Sequence, residues 1–110
     1  KTFGIEAQLK ELINKLKGVE CAFIFGSIAK NHEYAESDID LMLIGAVEED
    51  DLIRKINKLE ENLRREINYH IYSKKEVIQK LANKNEFLTR IFRESKIVLK
   101  GNPNEHTKAA

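Results

Sequence analysis

One cysteine, Cys21, stands in this chain of 110 residues, so no intrachain disulfide can form. It lies inside an apolar run, Cys21 to Phe25, and reads as a small core residue of a protein kept in a reducing, cytoplasmic compartment. An excess of one charge is also lacking: 19 Lys and Arg stand against 18 Asp and Glu, a net charge of +1. That balance gives no overall basic field for wrapping nucleic acid. No apolar run approaches the roughly 20 residues that span a bilayer, which argues against a membrane partner. No signal-peptide pattern opens the chain. Residue 1 is a lysine, the start expected of a piece cut from something longer. Internal repeats and low-complexity segments are absent. His32 has no second His or Cys nearby at metal-ligand spacing and reads as a surface residue.

What is present suits one compact domain and hardly two. Hydrophobic residues make up 42% of the chain, as in a soluble globular protein, and charged residues 34%, enough for a salt-bridged surface of the kind thermophiles use. Ile5, Leu9, Leu12, Ile13 and Leu16 recur every three to four residues, an amphipathic helix that Lys15, Lys17 and Gly18 bring to its end. Val19 to Phe25 is a short apolar run and reads as a buried strand. A second strand is expected from Ser37 to Gly45. The acidic run Glu48 to Asp51 then opens a helix carrying Leu52, Ile53, Ile56, Leu59 and Leu63. Its acids face the positive end of the helix dipole, so they are a cap rather than a metal site.

Glu66 to Ser73 alternates as a third strand, with Ile67, Tyr69 and Ile71 on one face and Glu66, Asn68, His70 and Tyr72 on the other. Ser73 and Glu76 form a capping box for the next helix. Asn83-Lys84-Asn85 interrupts that helix before a further one holding Phe87, Leu88, Ile91 and Phe92. Ile97 to Leu99 is a final short strand, the 101–104 stretch a turn, and 103–110 a frayed C-terminal tail. The domain proper is expected over residues 1–102.

The chemistry gathers between residues 23 and 45. The first strand ends at Gly26-Ser27, a strand-to-helix turn. There glycine lets the backbone approach a ligand, and a following helix start offers free N–H groups to phosphate. Ten residues later come Asp38 and Asp40 at the entrance of the second strand. At i and i+2 their carboxylates share a face and converge, while Ile39, Leu41 and Leu43 point the other way. Two converging carboxylates suit a hard cation such as Mg²⁺ bridging to a substrate phosphate.

Gly26-Ser27, ten residues, then Asp38-x-Asp40, with an apolar strand on either side, resembles the signature of the minimal nucleotidyltransferases of the DNA polymerase beta superfamily. The resemblance runs from about residue 3 to 102. It is greatest to a subset in which this domain follows a winged helix-turn-helix regulator, on Phe3-Gly4, Ala22 to Lys30, Arg65 to Tyr69, Ser73 to Glu76 and Lys96 to Gly101. It implies an α/β (α+β) fold, a mixed β-sheet with helices packed mainly on one face and the opposite face open for an acceptor or a partner chain. It also implies Mg²⁺ at Asp38 and Asp40, and an NTP, ATP above all, seated by Gly26 and Ser27 with Lys30 facing its phosphates. Family members commonly place a third carboxylate on the next strand. Asn68 takes that position here, as is usual in the subset. Asn68 ligates through a carbonyl oxygen but carries no charge and cannot act as a base. Glu66 shares its face about 7 Å further along.

Two functions follow from the resemblance. One is an enzyme, with Asp38, Asp40 and Asn68 as its catalytic set, that transfers a nucleoside monophosphate, AMP above all, to a hydroxyl. The sequence does not choose among its acceptors: an antibiotic, a nucleic-acid end, or a protein such as the HEPN toxins that some minimal nucleotidyltransferases adenylylate. The other is a weakened nucleotide-binding or sensor domain of a transcription regulator, touching DNA only through a domain absent from these 110 residues. An oligomer is compatible with either.

Overall fold

A computed structural model describes residues 2–26, 28–29 and 38–107. Its centre is a pair of strands, β1 (Val19–Phe25) and β2 (Ile39–Gly45). Both are nearly continuous apolar runs because both faces of each are covered. They pair antiparallel, with Phe25 opposite Asp40 and Ala22 opposite Leu43. A third strand, β3 (Ile67–Tyr72), lies parallel to β2, with Asp40 opposite Asn68. A fourth, β4 (Ile97–Lys100), pairs antiparallel with β1, which gives the mixed order β3-β2-β1-β4. The described residues thus have the expected mixed sheet.

Two long helices share one face. Helix α1 (Thr2–Asn14) and helix α2 (Glu49–Leu63) bury Leu9, Ile13, Leu52 and Ile56 against Ala22, Ile24, Ile39, Leu41 and Leu43. The apolar spacing of each helix builds this single stripe. After α1 the chain turns at Gly18, whose φ of +85° and whose contact with the Ala46 carbonyl leave no room for a Cβ. Helix α2 is the crossover that parallel strands require. Glu48 caps it by accepting from the Asp51 N–H, and Glu49, Asp50 and Asp51 fill its first turn, the capping role expected of the acidic run.

The opposite face is not open. Helix α3 (Lys74–Ala82) and helix α4 (Glu86–Arg93) lie over it. Val77, Leu88 and Ile91 join Cys21, Phe23, Phe25, Met42 and Ile44 in a second apolar cluster. The large side chains that β1 and β2 carry on this face require such a cover, since leaving them in water forgoes about 1.5–3 kcal/mol each. The Ser73–Glu76 capping box starts α3, and Asn85 caps α4 by accepting from the Leu88 N–H. The segment read as a tail is folded in part: Pro103–His106 forms a 3-10 turn, with Pro103 and His106 both buried. No helix among the described residues is long and apolar enough to cross a membrane.

Candidate functional site

The end of β1 and the beginnings of β2 and β3 meet at one margin of the sheet. Strand alternation turns Asp38 and Asp40 to the face that carries Met42 and Ile44, away from Ile39 and Leu41. Asp38 is exposed and Asp40 half-buried. The parallel register sets Asn68 beside Asp40. From there one amide nitrogen, Nδ2 of Asn68, donates to both acids: 3.3 Å to Oδ2 of Asp38 and 3.4 Å to Oδ1 of Asp40. Both bonds are long, so they steer the carboxylates without locking them. Two anions drawn to one point by a neutral donor are ready to exchange that donor for a cation.

Gly26 closes the other side. Its φ is +80°, and a Cβ there would stand 2.5 Å from Oδ2 of Asp40. Glycine is thus needed twice at this turn, for its backbone angle and for its lack of a side chain. Of the other expected nucleotide-binding residues, Ser27 and Lys30 lie outside the described residues; Ile28 and Ala29 between them are helical and buried. His32 also lies outside them.

Glu66 does not join the acids. It precedes β3 with its side chain exposed, and its carbonyl accepts from the Ile39 N–H at 2.8 Å, which fastens the start of β2. Asn68, not Glu66, is the residue brought to the pair. Among the described residues no three His, Cys, Asp or Glu side chains cluster as a metal site. The oxygen donors on hand are the two carboxylates and the Asn68 carbonyl. That set fits a hard divalent cation completed by phosphate oxygens and water, and fits a softer metal poorly.

A groove of about 530 Å³ opens beside Asp40, lined by Asp40, Ile67, Asn68, Tyr69 and His70. The sequence reading gave His70 no role. Its ring packs tilted against those of Phe25 and Phe87, with centroids 5.7 and 5.1 Å away, and it gives the groove an aromatic side. The signal for it was the alternation of β3, which sets His70 on the same face as Asn68. On the reverse face Tyr69 donates to Glu49 at 3.0 Å. Desolvation first, and then that carboxylate, push the phenol above its ordinary value.

A family model described as "Polymerase beta, Nucleotidyltransferase" matches residues 7–104. No curated protein sequence matches the chain. Among solved structures, a chain from a mutant of the toxin-antitoxin MntA-HpeT superposes with a TM-score of 0.62 at 16% identity, over 92% of this chain and 76% of that one. A chain from the tri-AMPylated Shewanella oneidensis HEPN toxin in complex with MNT antitoxin gives 0.60 at 16% identity, over 96% and 76%. A toxin-antitoxin crystallised with AMP-PNP gives 0.57 at 15% identity, over 92% and 77%. At these identities the likeness is one of fold.

Proposed function

Since this chain belongs to the polymerase beta nucleotidyltransferase family, we propose that it binds a nucleoside triphosphate with Mg²⁺ in the cytoplasm and transfers AMP from ATP to a hydroxyl of a HEPN-type partner protein. The observation that carries the reading is the convergence of Asp38 and Asp40 on the Asn68 amide beside Gly26. The solved relatives support the choice of ligand and acceptor, since one holds AMP-PNP and another pairs an MNT antitoxin with an AMPylated HEPN toxin.

In this reading Asp38 and Asp40 would hold the cation, with the Asn68 side-chain carbonyl oxygen as a neutral third donor. Mg²⁺, when bound, supplies positive charge against the phosphates and the departing pyrophosphate. Gly26 lets the backbone come close to the triphosphate, and the resemblance assigns Ser27 and Lys30 to the same task. The acceptor oxygen bonds to the α-phosphorus, the bond from that phosphorus to the α,β-bridging oxygen breaks, and pyrophosphate leaves with that electron pair. The hydroxyl proton passes to water, because an amide at position 68 has no basic form at neutral pH. Positioning and charge neutralisation therefore supply most of the rate.

Asn68 also favours a second reading, in which the domain keeps Mg²⁺–nucleotide binding without turnover and serves as the sensor of a transcription regulator. One experiment separates the two. Wild type and Asn68→Asp are incubated with Mg²⁺, α-labelled ATP and a HEPN-family protein, and both pyrophosphate and labelled protein are followed. Label on the partner with wild type supports the transferase. ATP binding by calorimetry with release only from Asn68→Asp supports the sensor. Absence of ATP binding in both proteins removes both readings.

A further inference from the structure

On the far side of the sheet from Asp38 and Asp40, α1 and α2 leave a groove of about 480 Å³ between them. Its walls carry cations from both sides: Lys15 just beyond α1, and Arg54, Lys55 and Lys58 on α2. Arg54 and Lys55 share the Asp51 carboxylate, at 3.2 and 2.9 Å. The side chains of Lys15 and Lys58 hold no hydrogen bond or ion pair among the described residues, and both are exposed. Among the described residues Glu11 is the only other acid lining it, so the groove keeps a positive surplus at those two lysines. Between the walls lie Leu12 and Leu59, each 7% exposed, as an apolar floor.

This arrangement differs from a nucleic-acid track. Among the described residues no aromatic side chain lines the groove, and single strands are commonly held by stacking on aromatic rings. An apolar strip bordered by lysines instead matches an amphipathic helix, with its apolar ridge on the floor and carboxylates toward both walls. We propose that the α1–α2 groove is a docking surface for an acidic amphipathic helix of a partner protein. Because the groove lies on the opposite face from the carboxylate pair, a helix seated there leaves the nucleotide site free. The groove stands independently of the transferase and sensor readings.

The probe is a fluorescein-labelled acidic peptide with Leu at i, i+3, i+4 and i+7 and Glu between them, titrated with the full chain and followed by anisotropy. A dT oligonucleotide of equal charge serves as competitor. The expected result is binding that weakens as salt is raised from about 50 to about 500 mM and falls by about tenfold or more in Lys15→Glu/Lys58→Glu. Amide shifts in the ¹⁵N spectrum should gather on Lys15, Lys58 and their neighbours and spare Asn68. The same spectrum checks the fold; if the charge reversals unfold the chain, Lys15→Gln/Lys58→Gln replaces them. No peptide binding, equal binding by the lysine variant, shifts centred elsewhere, or displacement of the peptide by the oligonucleotide would each overturn the proposal.

Discussion

Gly26 and Asp40 meet across the β1–β2 ladder so closely that a single methyl on the glycine would stand 2.5 Å from an Asp40 carboxylate oxygen. Gly26→Ala must therefore bear a left-handed backbone, at about 1–2 kcal/mol, and also displace a proposed cation ligand. We expect a modest drop in the urea midpoint and a loss of Mg²⁺-dependent ATP affinity of more than about tenfold, since misplacing one ligand wastes more than about 1.4 kcal/mol. Calorimetry on a variant whose spectrum is native makes the comparison. Unaltered affinity would separate Gly26 from the nucleotide.

The Asn68 amide now lies between two carboxylates. Asn68→Asp replaces a donor by a third anion. In EDTA its Tm should fall a few degrees, the size of shift that about 1 kcal/mol causes in a domain this long. In millimolar Mg²⁺ the loss should reverse, because an ion that binds only the folded form stabilises it by mass action. Differential scanning calorimetry with and without Mg²⁺ reads both effects. A variant indifferent to Mg²⁺ would count against a cation between these residues.

Burial pushes the Cys21 thiol up to about 11 from an ordinary value of 9.0. Below pH 9 the thiol is protonated in folded and unfolded chains alike and contributes no pH dependence. Between about 9 and about 11 the unfolded chain gives up the proton while the folded chain keeps it, so stability falls as pH rises, by up to about 2–3 kcal/mol. Cys21→Ala lacks this loss, and its urea midpoint should decline less than that of wild type between pH 8.5 and 11. Parallel curves would show that the thiol ionises in place.

Ser73 and Glu76 exchange hydrogen bonds at the head of α3, at 3.0 and 2.8 Å. Ser73→Ala should cost about 1 kcal/mol. The loss should appear as faster amide exchange in α3, whose Val77 covers the face holding Phe23 and Met42. If exchange instead quickens evenly over the sheet, the cap is not a local fastening.

The strands were legible where their burial was complete. Apart from the exposed Glu20, Val19 to Phe25 is apolar on both faces, and β1 has those same bounds. The Asp38–Asp40 pairing followed from strand period alone. By contrast, the face that α3 and α4 cover could not be read. The spacing of Leu88 and Ile91 shows that a helix has an apolar side, and leaves open which surface receives it. The tail was misjudged for a similar reason: Pro103 and His106 look like turn and terminus by composition, and their burial depends on β1 and α3 being there first. Nor does any local pattern show that one amide hydrogen-bonds to two acids far away in the chain.

That separation has a consequence in time. Asn68 reaches Asp38 and Asp40 across 30 and 28 residues, with the whole of α2 in between. The acids and the amide therefore come together only after the crossover has closed a long loop, a late and slow kind of contact in folding. A half-folded chain has strands and helices but no site, so occupancy by a ligand would report completion of the fold and not merely its beginning. A cut within α2 would leave two fragments, one with both carboxylates and the other with the amide. Neither fragment alone holds all three groups, and only their reassembly would restore them.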